Sequence, residues 1–147
     1  MSRDATSEVR FTIPGTPVPF ARSGANGKVR FTPGKQRSAM VDIRLLAQRA
    51  MAGRDPLSGP VSLQIVASYI VPQSWSARKR ADAYWKTSKP DGDNLQKLIK
   101  DACNRIVWLD DAQVVEWSGK KVYGPTEQTT VTIRALPQTI QLLGAVA

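Results

Sequence analysis

Apolar and polar residues alternate first at residues 8–13, where Val9, Phe11 and Ile13 are interleaved with Arg10 and Thr12. That period of two predicts a half-buried strand. Pro14, Gly15, Pro17 and Pro19 then interrupt regular structure. Residues 20–32 read as two short extended pieces around the turn dipeptide Asn26-Gly27. From about Lys35 to Ala52 the period changes to that of a helix. Ala39/Met40, Ile43, Leu46/Ala47 and Ala50 form one stripe, with Gly53 as the stop. The clearest strand follows at Val61 to Val71, where Val61, Leu63, Ile65, Ala67, Tyr69 and Val71 alternate with polar positions until Pro72. Ser74 or Ser76 can cap a short helix running to about Trp85. A further helix is predicted from Asn94 to about Asn104, with Leu95, Leu98/Ile99 and Ala102 as its buried stripe. Val114 to Tyr123 and Thr129 to Ala135 read as the last two strands, separated by Gly124-Pro125. The pattern past Gln138 predicts no element. Strands and helices in this order predict a small α+β domain, a mixed sheet packed with helices, spanning residues 1–147 with its core at about 8–136.

Composition narrows the function. The chain has 147 residues, 41% hydrophobic and 22% charged, which suits one folded domain. It carries 21 Lys and Arg against 12 Asp and Glu, a formal net charge of +9. Such an excess favours a polyanionic partner, and nucleic acid is the commonest. Cys103 is the one cysteine, so no internal disulfide can form. No apolar run approaches the roughly 18 residues that span a bilayer, and residues 1–8 lack an apolar signal core. A cytoplasmic protein with no membrane partner is expected. Histidine is absent, which removes Ser-His-Asp triads and His general bases.

Six acids nonetheless gather between residues 91 and 116: Asp91, Asp93, Asp101, Asp110, Asp111 and Glu116. Carboxylates clustered in a basic chain suit a divalent metal site acting on an anionic polymer. Mg²⁺ prefers oxygen ligands and keeps several waters, so Asp side chains and a phosphate together can hold it. Asp91 and Asp93, two apart in extended chain, can converge. Lys97 follows Asp93 by one helical turn, on the same face and off the buried stripe. A lysine there can hold a phosphate oxygen or assist proton transfer. The same residues have a plainer reading. Asp93 with Gln96 fits an N-cap and capping box, and Asp110-Asp111 fits a turn before a strand. The candidate DNA contacts are Arg22, Lys28 and Arg30 in the 20–32 loop, Lys35 on the first helix, Arg78, Lys79 and Arg80 beside Tyr84 and Trp85, then Lys89, Lys120 and Lys121. Basic residues interleaved with aromatics suit phosphate neutralisation plus base stacking. Aromatics packed inward on a solvated helix are the alternative.

Pro90-Asp91-Gly92-Asp93-Asn94-Leu95-Gln96-Lys97, followed by Trp108-Leu109-Asp110-Asp111-Ala112-Gln113-Val114-Val115, resembles the RusA family of Holliday junction resolvases. Pro17-Val18-Pro19, Arg30-Phe31-Thr32-Pro33 and Ser74-Trp75-Ser76-Ala77-Arg78-Lys79-Arg80 add to the resemblance, which runs from about residue 14 to residue 124. At residues 20–22 the chain has Phe-Ala-Arg, where many phage-type members carry a Lys-Gly-Arg-like run. The resemblance implies a Mg²⁺-dependent crossover junction endodeoxyribonuclease, with Mn²⁺ as a possible substitute, acting on branched DNA as a homodimer. It implies Asp91, Asp93, Asp111 and Lys97 as catalytic residues, the three acids as metal ligands and Asp110 as their neighbour. Two other readings remain open from the residues alone. One is a non-catalytic DNA-binding or architectural protein whose acids are caps and turns. The other is an Asp-x-Asp enzyme of nucleotide sugars, disfavoured by small size and the lack of a βαβ pattern.

Overall fold

The structure is a computed structural model that describes residues 8–21 and 33–138. The predicted turn at Asn26-Gly27, the candidate DNA contacts Arg22, Lys28 and Arg30, and the tail beyond residue 138 lie outside the described residues. Strands β1 (Glu8–Pro14), β2 (Val61–Tyr69), β3 (Val114–Tyr123) and β4 (Gln128–Ala135) form one sheet in the order β1-β4-β2-β3. β4 pairs antiparallel with both β1 and β2, and β3 lies parallel to β2. Helices α1 (Pro33–Met51) and α3 (Gly92–Cys103) pack together, α1 also against β1 and α3 against β3. The α+β expectation is met.

Register explains the core. Val9, Ile133 and Leu63 align across three strands, as do Phe11, Val131 and Ile65. Alternation puts these rows on one face. Ile43, Ala47 and Met51 of α1 and Leu98, Ile99 and Ala102 of α3 pack against them in one cluster. Arg10, Thr12 and Gln64, one residue out of phase, are exposed on the other face. Leu98 is fully buried, so Leu98→Ala would cost about 2–5 kcal/mol. A smaller cluster joins Ala67, Tyr69 and Leu95. There the Tyr69 phenol has no hydrogen-bond partner among the described residues, and burial, then the Glu127 charge, pushes its pKa up to about 12.

Four boundaries differ from the periodicity. β2 stops at Tyr69 instead of Val71, because β3 ends at Tyr123 and Gly124 N–H donates to the Tyr69 carbonyl (2.8 Å), turning the edge away. α1 starts at Pro33 and ends at Met51. Ala52 and Gly53 then take φ of 52° and 79°, and Arg54 Nε donates to the Met51 carbonyl (2.9 Å), satisfying a terminal acceptor. The helix capped by Ser76 does form, with Lys79 N–H donating to Ser76 Oγ (3.2 Å), but α2 spans only Ala77–Ala81. Its expected continuation to Trp85 is replaced by pairing with β3. Tyr123 N–H donates to the Tyr84 carbonyl (2.7 Å) and Lys86 N–H to the Lys121 carbonyl (2.9 Å). Finally, α3 begins at Gly92, not Asn94. Asp91 therefore takes the N-cap position expected for Asp93, without a side-chain cap bond, and Asp93 lies in the first helical turn. The two acids do not alternate along an extended strand.

Candidate active site

The first turn of α3 favours a carboxylate, since helix dipoles place partial positive charge there. Asp93 occupies it, and its Oδ1 accepts from Asn94 N–H (3.0 Å). Among the described residues its Oδ2 takes no hydrogen bond. Helical spacing then stacks Asp93, Lys97 and Asp101 on one face. Lys97 Nζ sits 3.4 Å from both carboxylate oxygens of Asp101 and 5.0 Å from the centre of the Phe20 ring. Phe20 is fixed in turn by its N–H, which donates to the Asn94 carbonyl (2.9 Å).

The second acidic turn is a 3₁₀ turn over Asp111–Gln113, just before β3. Trp108, fully buried, donates from its indole Nε1 to Asp111 Oδ1 (2.8 Å). Asp110 Oδ1 accepts from Ala112 N–H (2.9 Å), while Gln113 Oε1 accepts from the N–H groups of Leu109 (2.9 Å) and Asp110 (3.0 Å). Gln113 Nε2 donates to the carbonyls of Leu57 (2.8 Å) and Gly59 (2.9 Å). The capping box expected at Asp93 and Gln96 thus occurs at Asp110 and Gln113.

These turns meet. Asp93, Gln96, Lys97, Lys100, Asp101 and Asp111 line one cavity of about 240 Å³. The Asp111 charge also reaches Cys103: burial pushes that thiol well above its usual range, and Asp111 adds to the shift. Cys103 is an inert core residue there. Asp91 is not on the cavity wall. It is exposed and paired with exposed Lys89 at 3.5 Å. Asp110 is also absent from the lining, its side chain turned to its own cap.

Lys35, Arg78, Lys79, Arg80, Lys89 and Lys120 are all exposed. Lys121 is committed internally, its Nζ donating to the carbonyls of Ser88 (2.9 Å) and Pro90 (2.8 Å). It holds the loop that leads into Asp91. Lys120 and Lys121 border a second cavity, of about 250 Å³, with Gly92, Leu95 and Gln96. Sequence reasoning counted Asp101 among the gathered acids and Trp108 in the second motif, but assigned no individual role to Lys100, Asp101 or Trp108. The first two follow Lys97 at three and four residues, a spacing that a helical face exposes. The Trp108–Asp111 bond has no sequence signal.

The donors on the cavity wall are Asp93, Asp101 and Asp111, all oxygen ligands, which suits a hard divalent cation. Among the described residues no three such side chains are close enough to form a ready-made cage. A Mg²⁺ that keeps its waters and takes a phosphate needs only one or two protein carboxylates. The residues therefore fit such an ion.

A family model described as endodeoxyribonuclease RusA matches residues 14–134, which include both acidic turns. The chain is 33% identical over 136 residues to "Uncharacterized protein YqaN" of Bacillus subtilis (strain 168), covering 86% of this chain and 95% of that protein. It is 36% identical over 64 residues to the crossover junction endodeoxyribonuclease rusA of Lactococcus phage r1t, covering 43% of this chain and 45% of the phage protein. With the family model running from the end of β1 through β4 and covering both acidic turns, the chain belongs to the RusA family of endodeoxyribonucleases.

Proposed function

We propose that this family member is a Mg²⁺-dependent, structure-selective endonuclease that resolves four-way DNA junctions by paired, symmetric nicks, with Mn²⁺ as a substitute. The observation that carries the reading is the shared cavity of Asp93, Lys97 and Asp111 in a chain of net charge +9. A carboxylate pocket repels DNA unless a cation neutralises it, while the surrounding basic surface draws DNA in.

Asp93 and Asp111 would hold the metal, with Asp91, at the N-cap of the same helix, as the third candidate. Bound there, Mg²⁺ supplies an activated water and stabilises charge on the attacked phosphate. The side chains do the rest. Trp108 fixes the orientation of Asp111. Asp101 holds the Lys97 ammonium at the cavity, where it can bind a non-bridging phosphate oxygen or protonate the leaving oxygen. Lys35, Arg78, Lys79, Arg80, Lys89 and Lys120 contact phosphates of the arms, which carry no sequence information by themselves. A four-way junction needs two opposed cuts, and a C₂ homodimer supplies two sites related by that symmetry.

The test is cleavage of a labelled four-way junction and a matched duplex in Mg²⁺, by wild type and by Asp93→Asn. Paired nicks confined to the junction, and lost in the variant, are expected. Tight junction binding with no cleavage in Mg²⁺ or Mn²⁺ would instead make the protein a DNA-binding module.

A further inference from the structure

Tyr84 and Trp85 lie outside the acid cavity, and the chemistry above uses neither. Tyr84 is 52% and Trp85 59% exposed. Their rings meet edge to face, with centroids 4.6 Å apart and planes at 80°. Adjacent large aromatic rings left in water mark a binding surface more often than an accident of packing.

The backbone beneath them is fixed. Trp85 bridges Val122, and the Tyr84 and Lys86 hydrogen bonds to β3 clamp it on both sides. The rings are thus preorganised and lose little freedom on binding. Chain geometry also keeps them near the site. Trp85 precedes Asp91 by six residues, a reach of at most about 20 Å. The intervening loop is pinned by Lys121 to Ser88 and Pro90, and by Lys86 Nζ to Ser88 Oγ (2.8 Å).

Charge selects the occupant. From residue 75 to residue 90 the chain carries Arg78, Lys79, Arg80, Lys86 and Lys89 against one acid, Asp82. Lys79 Nζ lies 4.1 Å over the Trp75 ring, and Lys86 Nζ 4.8 Å over that of Tyr69. An apolar protein partner would leave these cations desolvated and unpaired. A nucleotide with a free base face satisfies both features: rings stack on the base while cations hold the phosphates. Duplex arms keep their bases stacked inside, whereas a branch point can present one.

We propose that Tyr84 and Trp85 form a stacking platform for an unpaired base at the branch point of the DNA, with Arg78, Lys79 and Arg80 holding the adjoining phosphates. This rests on the branched-DNA reading above. The platform separates branched from linear DNA; the phosphate contacts do not.

The experiment measures binding in EDTA to a four-way junction carrying 2-aminopurine at its branch point, and to a matched duplex. Wild type should change the 2-aminopurine fluorescence. Trp85→Ala should abolish that change and weaken junction binding about 5- to 100-fold, with duplex binding within about twofold of wild type. Trp85→Phe should restore most of both signals. Arg78→Ala should weaken junction and duplex alike. Unchanged junction binding by Trp85→Ala, or an equal loss on junction and duplex, overturns the platform. So does a shift in self-association by Trp85→Ala in sedimentation, which would assign the rings to a contact between copies. A wild type that gives the fluorescence response in EDTA yet cleaves the same junction in neither Mg²⁺ nor Mn²⁺ supports the platform and overturns the endonuclease reading.

Discussion

The two acidic turns that meet at the cavity are built differently. Asp111 belongs to an interlocked unit: a buried indole holds one carboxylate oxygen, and the capping box of Asp110 and Gln113 ties the turn to Leu57 and Gly59. Among the described residues, Asp93 stands on an exposed helical turn held by the neighbouring N–H alone, and the Asp91 side chain before it has only an exposed ion pair with Lys89. One side of the site is rigid by packing; the other is oriented by a helix end and free to adjust. A metal or phosphate entering between them would be positioned by Asp111 and closed upon by Asp93.

Breaking either turn at its carboxylate should have the largest effect. Asp111→Asn and Asp93→Asn should each lower junction cleavage by at least about a hundredfold. Junction binding should hold or tighten, because each change removes negative charge near phosphate; rates and affinities measured together check both halves. Next comes Trp108→Phe, which removes the Asp111 bond while keeping an aromatic ring. A hydrogen bond to a charged group contributes about 1.5–3 kcal/mol, so cleavage should fall about tenfold or more with junction binding retained. Gln113→Ala removes the bonds that lock the turn. It should cost about 2 kcal/mol of stability, seen in denaturant unfolding, with a smaller loss of cleavage. Lys89→Ala should do least, changing stability by under about 0.5 kcal/mol. A large destabilisation there would mean that the Asp91 side is not the soft one.

The same contrast governs what the sequence reveals. Period-two alternation marks β2 plainly, because its alternate side chains are buried between the helices and the sheet. Helical spacing places Lys97 beside Asp93 and away from Leu95, Leu98 and Ile99, and so finds half of the cavity. The pairing of Tyr84–Lys86 with β3 is a contact between distant parts of the chain, so local pattern extends α2 to Trp85 instead. Capping chemistry misleads for a similar reason. Asp93–Gln96 and Asp110–Gln113 carry the same signature, and tertiary bonds from Gln113 to Leu57 and Gly59 decide which is used. Nothing in residue types announces that Trp108 grips Asp111, since that bond depends on burial of the indole.

The most direct measurement is the single-turnover cleavage rate of a four-way junction by Asp93→Asn, Asp111→Asn and the double variant. Residues that act as one unit are strongly non-additive. A shared site predicts that the double variant is no slower than the worse single variant. Losses that multiply would show that Asp93 and Asp111 act independently, and would contradict a single catalytic centre between the two turns.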